Sequence, residues 1–471
     1  MRGRMPARDP ISMAAPTPYD LMCSEKLMQI MSVESPQENE EEQYKRQRIL
    51  STITALFKDW VRSVYLQKEL PEEMANNAGG LLLTSGSYRL NLNERGIDID
   101  TLCVAPRFVT RDDFFTTLKV ILEDLDEVTN LIAVETALVP VITFDFEDVN
   151  IDLLFAQLPL DAVPEDTDVN DDAILRGVDP TTEKSLNGPR VTNRIVELVP
   201  NRESFIALLR CVRLWAKRRG IYKNKMGYLG GVNCNILSAF ICQLYPNASP
   251  ATLLERFFYV LRDWNWPTPI EITPQYDAGL GHPFWQPGFR DVMPILTPAY
   301  PSMNSSYSVS QNTLEVMVWE MGVAHQKVRA ALANNGEGWS SVFEPSDFAV
   351  AHSRYLAAEI YVRDVPEHER ARMMQTWTGF IEARLRGFVE RFSGSRLPIQ
   401  QVRLVPKELS YHWPLTTGHL PLTTHHSPLT THHSHHSHRS PLTTHRSPLT
   451  TYRLPYIAYH LPPTTYRLLP I

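Results

Sequence analysis

Apolar side chains recur every three or four residues over residues 47–67, and this is the first strong periodicity along the chain. The positions concerned are Ile49, Ile53, Leu56, Phe57, Trp60, Val61 and Val64. That spacing places them on one face of a helix, so the segment predicts an amphipathic helix that buries this face.

Between about residue 80 and residue 156, the helical period gives way to short runs of apolar and β-branched residues. The runs occupy residues 79–87, 96–105, 130–137, 139–148 and 149–156. Runs of this length, separated by polar turns, are typical of β-strands. A helical pattern at 111–125 interrupts them. The region therefore predicts a mixed α/β domain.

Two more patterned regions follow, and then a repetitive tail. Residues 203–245 return to helical periodicity around a Gly-Gly turn, and residues 338–407 alternate between helix and strand patterns, as an α+β domain does. From about residue 413 the tetrapeptide Pro-Leu-Thr-Thr recurs, beginning at Pro414, Pro421, Pro428, Pro441 and Pro448. Prolines at this density exclude a helix, and the polar composition cannot bury a core. We therefore predict that residues 414–471 are disordered.

The composition fits an ordinary globular protein, with 21% charged and 10% aromatic residues. No apolar run approaches the roughly 18 residues needed to span a bilayer, and the amino terminus lacks the apolar core of a signal peptide. We therefore expect a soluble intracellular protein with no membrane partner. The five cysteines are scattered and show no C-x-x-C spacing, which suits a reducing compartment and argues against a zinc site.

The net charge of −7 does not by itself indicate a nucleic-acid-binding protein. Its distribution is more informative, because residues 210–225 contain seven basic side chains and no acidic one. The segment therefore predicts a strongly positive local field. Such a field suits an anionic ligand, but a solvated helix face has the same composition.

The sequence Asp-Ile-Asp at 98–100 places two acidic residues within an otherwise apolar run. Side chains at positions i and i+2 of a strand point to the same face, so Asp98 and Asp100 are directed to one point. A third acid, Asp152, lies in another predicted strand. Three carboxylates that converge from neighbouring strands repel one another unless divalent cations lie between them. Pairs of magnesium ions are held in this way in polymerases.

An Asp-x-Asp pair alone is a weak signal, because one or two copies are expected by chance in a chain of about this length. Two other pairs occur here, in a helical stretch at 124–126 and in a polar loop at 166–168. The pair at 98–100 differs from them because it follows a strand that ends in Gly86 and Ser87. The backbone amides and the hydroxyl of such a turn can hold a triphosphate, so the combination is far more specific than the pair.

Residues 86–115 and 149–158 resemble the polymerase-beta-type nucleotidyltransferase signature, in the form found in eukaryotic poly(A) polymerases. Further segments resemble the same family in the same order: SLNGPRVTNRIVELVPN, RLWAKRRGIY, YLGGV, CQLYPNA, MPILTPAYPSMNSSYSVS and VFEPSDF. The resemblance covers about residues 16–407, and this ordered agreement is more specific than any single motif.

The resemblance implies an α+β, multidomain fold. A mixed-sheet nucleotidyltransferase domain would occupy residues 48–160, and a helical central domain would occupy residues 16–47 and 161–337. A truncated RNA-recognition-like carboxy-terminal domain would occupy residues 338–413. The disordered repeat tail, residues 414–471, would follow it.

By the same resemblance, Asp98, Asp100 and Asp152 are the catalytic metal ligands, with magnesium as the cofactor and manganese able to substitute. The residues that bind the nucleotide would be Gly86, Ser87, Asn187, Arg213, Lys217, Tyr222, Gly231 and Val232. The sequence pattern agrees, because basic side chains interleaved with aromatic ones suit a triphosphate and a stacked base.

Three residues depart from the family pattern. Ser85 stands where the family usually has Phe, Arg213 stands where it has Lys, and Thr143 stands where it has Lys. Arginine keeps the charge but replaces a point cation with a planar fork. Threonine cannot supply the positive charge that a lysine would offer to an RNA strand.

The resemblance implies that the chain adds AMP from ATP to the 3′ end of RNA, without a template and by a two-metal-ion mechanism. It would thus be a polynucleotide adenylyltransferase of mRNA polyadenylation, located in the nucleus and in contact with pre-mRNA 3′-processing factors. Two alternatives stay open. One is a uridylyl- or mixed-nucleotide terminal transferase, because spacing does not reveal base choice. The other is a non-catalytic RNA-binding paralogue, which the three departures and the truncated carboxy-terminal domain favour and the intact acidic triad opposes.

Overall fold

The computed structural model describes residues 6–137, 139–346, 354–356, 359–360, 365–393, 401–404, 409–410, 452–453 and 457–460. The chain forms two compact units, Met1–Ala351 and His352–Ile471. Helices and a five-stranded mixed sheet make up the first unit, and the architecture is therefore α+β, as predicted. Within the described ranges, no helix is both long enough and apolar enough to cross a membrane.

The first unit begins with two capped helices, α1 (Pro18–Glu34) and α2 (Glu40–Gln67). Both start at a capping box, Thr17 with Asp20 in α1 and Asn39 with Glu42 in α2, which satisfies backbone amides that the helix itself leaves unpaired. The predicted apolar face of α2 is buried, apart from the partly buried Leu56. The prediction of an amphipathic helix is thus confirmed.

The sheet and its connecting helices occupy the next part of the chain. In order, the elements are α3 (Glu72–Asn77), β1 (Leu81–Thr84), α4 (Gly86–Arg89), β2 (Ile99–Ala105), α5 (Arg111–Asp113), a π turn (Phe114–Leu118), α6 (Lys119–Glu123), β3 (Val128–Val134), β4 (Val141–Phe146) and β5 (Val149–Gln157). The helix predicted at 111–125 corresponds to α5, the π turn and α6.

The strand order in this sheet is β1-β2-β5-β4-β3. Strands β2 and β5 are parallel, and the other neighbouring pairs are antiparallel. One face packs on α2, burying Ile99 and Cys103 of β2. The other face buries Leu102 and Val104 against residues that include Leu186. Strands β2 and β5 are therefore covered on both faces, and two cores constrain their position.

Five longer helices complete the first unit: α7 (Pro180–Leu198), α8 (Arg202–Arg218), α9 (Gly231–Leu244), α10 (Pro250–Arg262) and α11 (Gln311–Ala333). Helix α9 is almost wholly buried, and α8 and α10 meet through an edge-on contact of Trp215 with Phe258 at 4.8 Å between ring centroids. Helix α1 also packs on α10, through Ser24 Oγ, which accepts a hydrogen bond from the Ala251 amide. These five helices lie within residues 161–337, the larger part of the predicted central domain. The domain boundaries given above stay predictions.

The second unit contains a long helix, α12 (Glu367–Ser393), and two small antiparallel sheets. Their strands are β6 (Arg354–Leu356), β7 (Glu359–Ile360), β8 (Gln401–Leu404), β9 (Leu409–Ser410), β10 (Tyr452–Arg453) and β11 (Ile457–His460). Their orders are β6-β11-β8 and β7-β10-β9. Within the predicted tail, 414–471, the structure describes only β10 and β11, and the rest of that range lies outside the described residues.

Candidate active site

Three carboxylates meet where β2 begins. Asp100 on β2 lies directly opposite Asp152 on β5 in the parallel register, and Asp98 comes one residue before β2. One oxygen from each of the three side chains lies within 4.8 Å of the others. The structure therefore brings together the acidic triad that the sequence predicts, although Asp98 is exposed while the other two are half-buried.

The like charges of the triad disfavour its ionisation. Burial, together with the charges of Asp98 and Asp152, raises the pKa of Asp100 to about 7, and the charge of Arg213 acts in the opposite direction. Burial and the charge of Asp98 also raise the pKa of Asp152. Carboxylates crowded in this way are hard oxygen ligands whose repulsion a divalent cation would relieve, so the donor set fits magnesium or manganese.

Thr143 lies beside the triad on β4, directly opposite Asp152 in the antiparallel register. A hydrogen bond from its side chain to Asp152 partly offsets the effect of burial on the pKa of that carboxyl. The Thr143 side chain thus favours the ionised form of Asp152. The departure from lysine removes a cation here and supplies a neutral hydrogen-bond donor.

The Gly-Ser turn lies against Asp100 of the triad. The amide of Ser85 donates to the backbone oxygen of Asp100 at 3.0 Å, and the amide of Gly86 donates to Thr192 Oγ1 of α7 at 3.2 Å. Gly86 has a φ of +59°, and a Cβ at this position would overlap the carboxylate of Asp100. Ser87 follows in α4 and is buried, with 7% of its surface exposed. The turn and the triad therefore form one site.

An ion network lies on the α8 side of the site, in which Glu94 and Arg213 are buried and Lys217 is exposed. Glu94 Oε1 is 3.3 Å from Arg213 Nε, and Glu94 Oε2 is 3.0 Å from Lys217 Nζ. The two cations lie over the ring of Tyr222, at 5.7 and 5.8 Å from its centroid. Burial acts to raise the pKa of Glu94, but the charges of Arg213 and Lys217 outweigh it and hold this pKa below its ordinary value. Burial raises the pKa of Tyr222 to about 12.

The remaining predicted nucleotide contacts lie on two other helices. A Cβ on Gly231, at the start of α9, would lie 3.3 Å from the Tyr222 hydroxyl and 3.4 Å from Arg213 Nη1, so the start of α9 lies close to both of these side chains. Val232 follows it and is half-buried. Asn187 lies on α7, where its amide nitrogen is 3.8 Å from Met303 Sδ. The structure thus groups Gly231 with Tyr222 and Arg213, and holds Asn187 on a separate helix.

Sequence reasoning missed two charged residues of this site. Glu94 lies in the loop before β2, and nothing in the sequence signals its ion pairs with α8. Lys225 belongs to the basic segment 210–225, and its charge opposes the rise in the pKa of Asp152. The basic segment pointed to Lys225 only as a member of a group, because its position relative to Asp152 depends on tertiary packing.

The pKa of Asp100 predicts a pH effect on the metal-free protein. The folded state keeps a proton up to about pH 7 that the unfolded chain releases near its ordinary pKa of 3.8, so the free energy of unfolding falls as pH rises between these values. In a chelator, the melting temperature should therefore decrease from about pH 5 to about pH 8. Added magnesium should raise the melting temperature more at the higher pH than at the lower pH.

The control for this experiment is Asp100→Asn, which removes the titrating group and keeps the side-chain shape. Its melting temperature should depend less steeply on pH than that of the wild type. Parallel profiles for the two proteins would contradict the assignment of the raised pKa to Asp100.

A mixed sheet that carries three converging carboxylates beside a Gly-Ser turn is the architecture of a nucleotidyltransferase. Two domain models match the chain: "Poly(A) polymerase nucleotidyltransferase domain" at residues 8–199 and "Poly(A) polymerase central domain" at residues 204–345. The chain belongs to the poly(A) polymerase family, which confirms the resemblance seen in its motifs.

Two curated relatives are similar over most of the chain. It is 42% identical to nuclear poly(A) polymerase 1 of Arabidopsis thaliana, over 81% of this chain and 54% of that protein. It is 40% identical to poly(A) polymerase of Dictyostelium discoideum, over 82% of this chain and 48% of that protein. The chain thus spans about half the length of the curated relatives it matches. A solved structure of mtPAP in complex with UTP aligns at a TM-score of 0.48 and 12% identity, covering 71% of this chain and 77% of that one.

Proposed function

We propose that this chain is a polynucleotide adenylyltransferase, which transfers AMP from ATP to the 3′ end of RNA without a template. The observation that carries the proposal is the meeting of Asp98, Asp100 and Asp152 within 4.8 Å, beside the turn at Gly86 and Ser87. An acidic cluster next to backbone amides is suited to a reaction between two anionic substrates. The names of the relatives support adenine as the base of the nucleotide.

The triad would hold divalent cations, with magnesium preferred and manganese able to substitute. Bound there, such cations would activate the 3′-hydroxyl of RNA and neutralise the charge that develops on the leaving pyrophosphate. Thr143 would favour the ionised form of Asp152 that this role needs. Catalysis would then depend mainly on the positions of the two substrates and on charge compensation.

The protein's own groups would bind the nucleotide from two sides. The backbone of Gly86 and the amide and hydroxyl of Ser87 would contact the phosphates, and Arg213 and Lys217 would supply positive charge from α8. Tyr222 would offer an aromatic face for the base, with Asn187 and the start of α9 also lining the pocket. These assignments extend the family's residues to the matching positions of this chain.

We also propose that the enzyme acts in the nucleus on the 3′ ends of pre-mRNA, together with 3′-processing factors. Relatives from Arabidopsis thaliana that carry the word "nuclear" in their names support this location. Localisation of the tagged full chain in its own cells tests it.

The reaction itself is tested by RNA extension. The purified full chain, with magnesium or manganese, should lengthen an unstructured RNA primer with ATP, whereas UTP, CTP and GTP should be poor substrates. Equal extension with UTP would instead favour a uridylyl- or mixed-nucleotide transferase. No extension with any nucleotide would contradict the proposal.

Arg213 provides a prediction about nucleotide binding. Arg213→Lys keeps the charge and restores the family's usual residue, so the KM for ATP should change by less than about tenfold. Arg213→Ala removes a charge-assisted hydrogen bond worth roughly 1.5–3 kcal/mol, so the KM should rise by about tenfold or more. Normal ATP affinity in Arg213→Ala would contradict the assignment of this residue to the nucleotide pocket.

A further inference from the structure

Glu94 is a buried acid that the proposed reaction does not use. It lies between α4 and β2, with 5% of its surface exposed, and each of its carboxylate oxygens contacts a different cation. Those cations, Arg213 and Lys217, are the ones assigned to the nucleotide. The protein therefore supplies its own anion to the side chains that would meet the anionic substrate.

Glu94 approaches Arg213 on the Nε side of the guanidinium, away from Nη1. Glu94 approaches Arg213 at Nε, whereas Nη1 of the same guanidinium lies 3.4 Å from the position of a Cβ on Gly231. The charge of Arg213 also reaches Asp100. Nη1 thus faces the start of α9, which is part of the proposed nucleotide pocket, while Glu94 approaches the guanidinium at Nε.

Glu94 is not free to withdraw, because its loop is held by the segment before α2. The amide of Glu38 donates to the backbone oxygen of Asn93 at 2.7 Å, and Gln37 Nε2 donates to the oxygen of Leu92 at 3.2 Å. Arg46 donates from Nη2 to the oxygen of Ile97. A ligand must therefore bind in the presence of the Glu94 charge.

Arg213 and Lys217 are two neighbouring cations, and Arg213 is buried. A buried cation is costly in a low-dielectric site unless an anion compensates its charge. Glu94 supplies that anion when the site is empty, and a triphosphate would supply a second one. We propose that Glu94 is the internal counter-anion of the nucleotide-binding cations, and that it stabilises the empty site while weakening the binding of a nucleoside triphosphate. This inference rests on the proposed function, since it requires that Arg213 and Lys217 face the nucleotide.

Glu94→Gln tests the inference because it removes the charge and keeps the side-chain shape. The full chain is titrated with ATP and magnesium in the absence of RNA, and its melting temperature is measured with and without ATP. The variant should bind ATP about fivefold to tenfold more tightly than the wild type, a difference of roughly 1–1.4 kcal/mol. Its melting temperature should be lower without ATP, and the increase caused by ATP should be larger.

Glu320→Gln is the matched control. Glu320 on α11 is fully buried, and it accepts a hydrogen bond at 2.8 Å from Nε of Arg219, which follows the end of α8. This variant therefore also removes a buried acid from an arginine of the same region. It should lower the melting temperature but leave ATP affinity, and the increase caused by ATP, unchanged.

The outcomes separate the inference from the proposed function. ATP affinity in Glu94→Gln that equals or falls below that of the wild type would overturn the inference, even when the wild type binds ATP well. A wild type that does not bind ATP would overturn the proposed function, and the inference with it. If Glu94→Gln does not fold, Glu94→Asp keeps the charge but shortens its reach, and twofold to threefold tighter ATP binding is then expected. Unchanged affinity in that variant would also overturn the inference.

Discussion

Asp100→Asn should reduce RNA extension by at least about a thousandfold, because the substitution removes one of three ligand charges at the reacting centre. The fold should survive, since the amide has the shape of the carboxylate. In a chelator, the melting temperature of the variant should equal or exceed that of the wild type, because repulsion from Asp98 and Asp152 is relieved. The paired measurements are the extension rate and the melting temperature of the same preparation.

Asp145→Asn is the control for this loss. Asp145 lies on β4 in the same sheet, where its carboxylate accepts hydrogen bonds from Asn130 at 2.8 Å and from Asn150 at 2.9 Å. That variant should keep nearly the wild-type rate. Undiminished extension by Asp100→Asn would contradict the two-metal mechanism.

Gly86→Ala should reduce extension by at least about a hundredfold, because displacement of a reacting group by about 1 Å is enough for such a loss. A methyl group here would overlap the Asp100 carboxylate, so the carboxylate or the turn must move. The positive φ adds strain of roughly 1–2 kcal/mol for a residue with a Cβ. Both activity and the melting temperature should therefore fall.

Gly96→Ala separates these two effects. Gly96 has a φ of +69°, close to that of Gly86, but a Cβ there would meet no atom within 4 Å. The variant should show a similar backbone strain with little loss of activity. Equal losses of activity in the two variants would show that the overlap with Asp100 is not the cause.

Much of the fold follows from local patterns. The buried face of α2 could be predicted because apolar residues that recur every three or four positions lie on one side of a helix. The strands β2 and β5 could be predicted from their apolar runs, and the direction of Asp98 and Asp100 from the alternation of side chains along a strand. The family's motifs then identified the nucleotidyltransferase site. Each of these inferences uses residues close together in the chain.

The tertiary structure alone decided which distant residues meet. The parallel register of β2 and β5 sets Asp100 opposite Asp152. The antiparallel register of β4 and β5 places Thr143 opposite the same Asp152, where its side chain acts to lower the pKa of that carboxyl. Glu94 reaches Arg213 only because the loop before β2 packs on α8. Local sequence determines the periodicity of an element and the direction of its side chains. The partner across a sheet or a helix interface depends on burial and charge compensation over the whole unit, and a single sequence does not encode these at any one position.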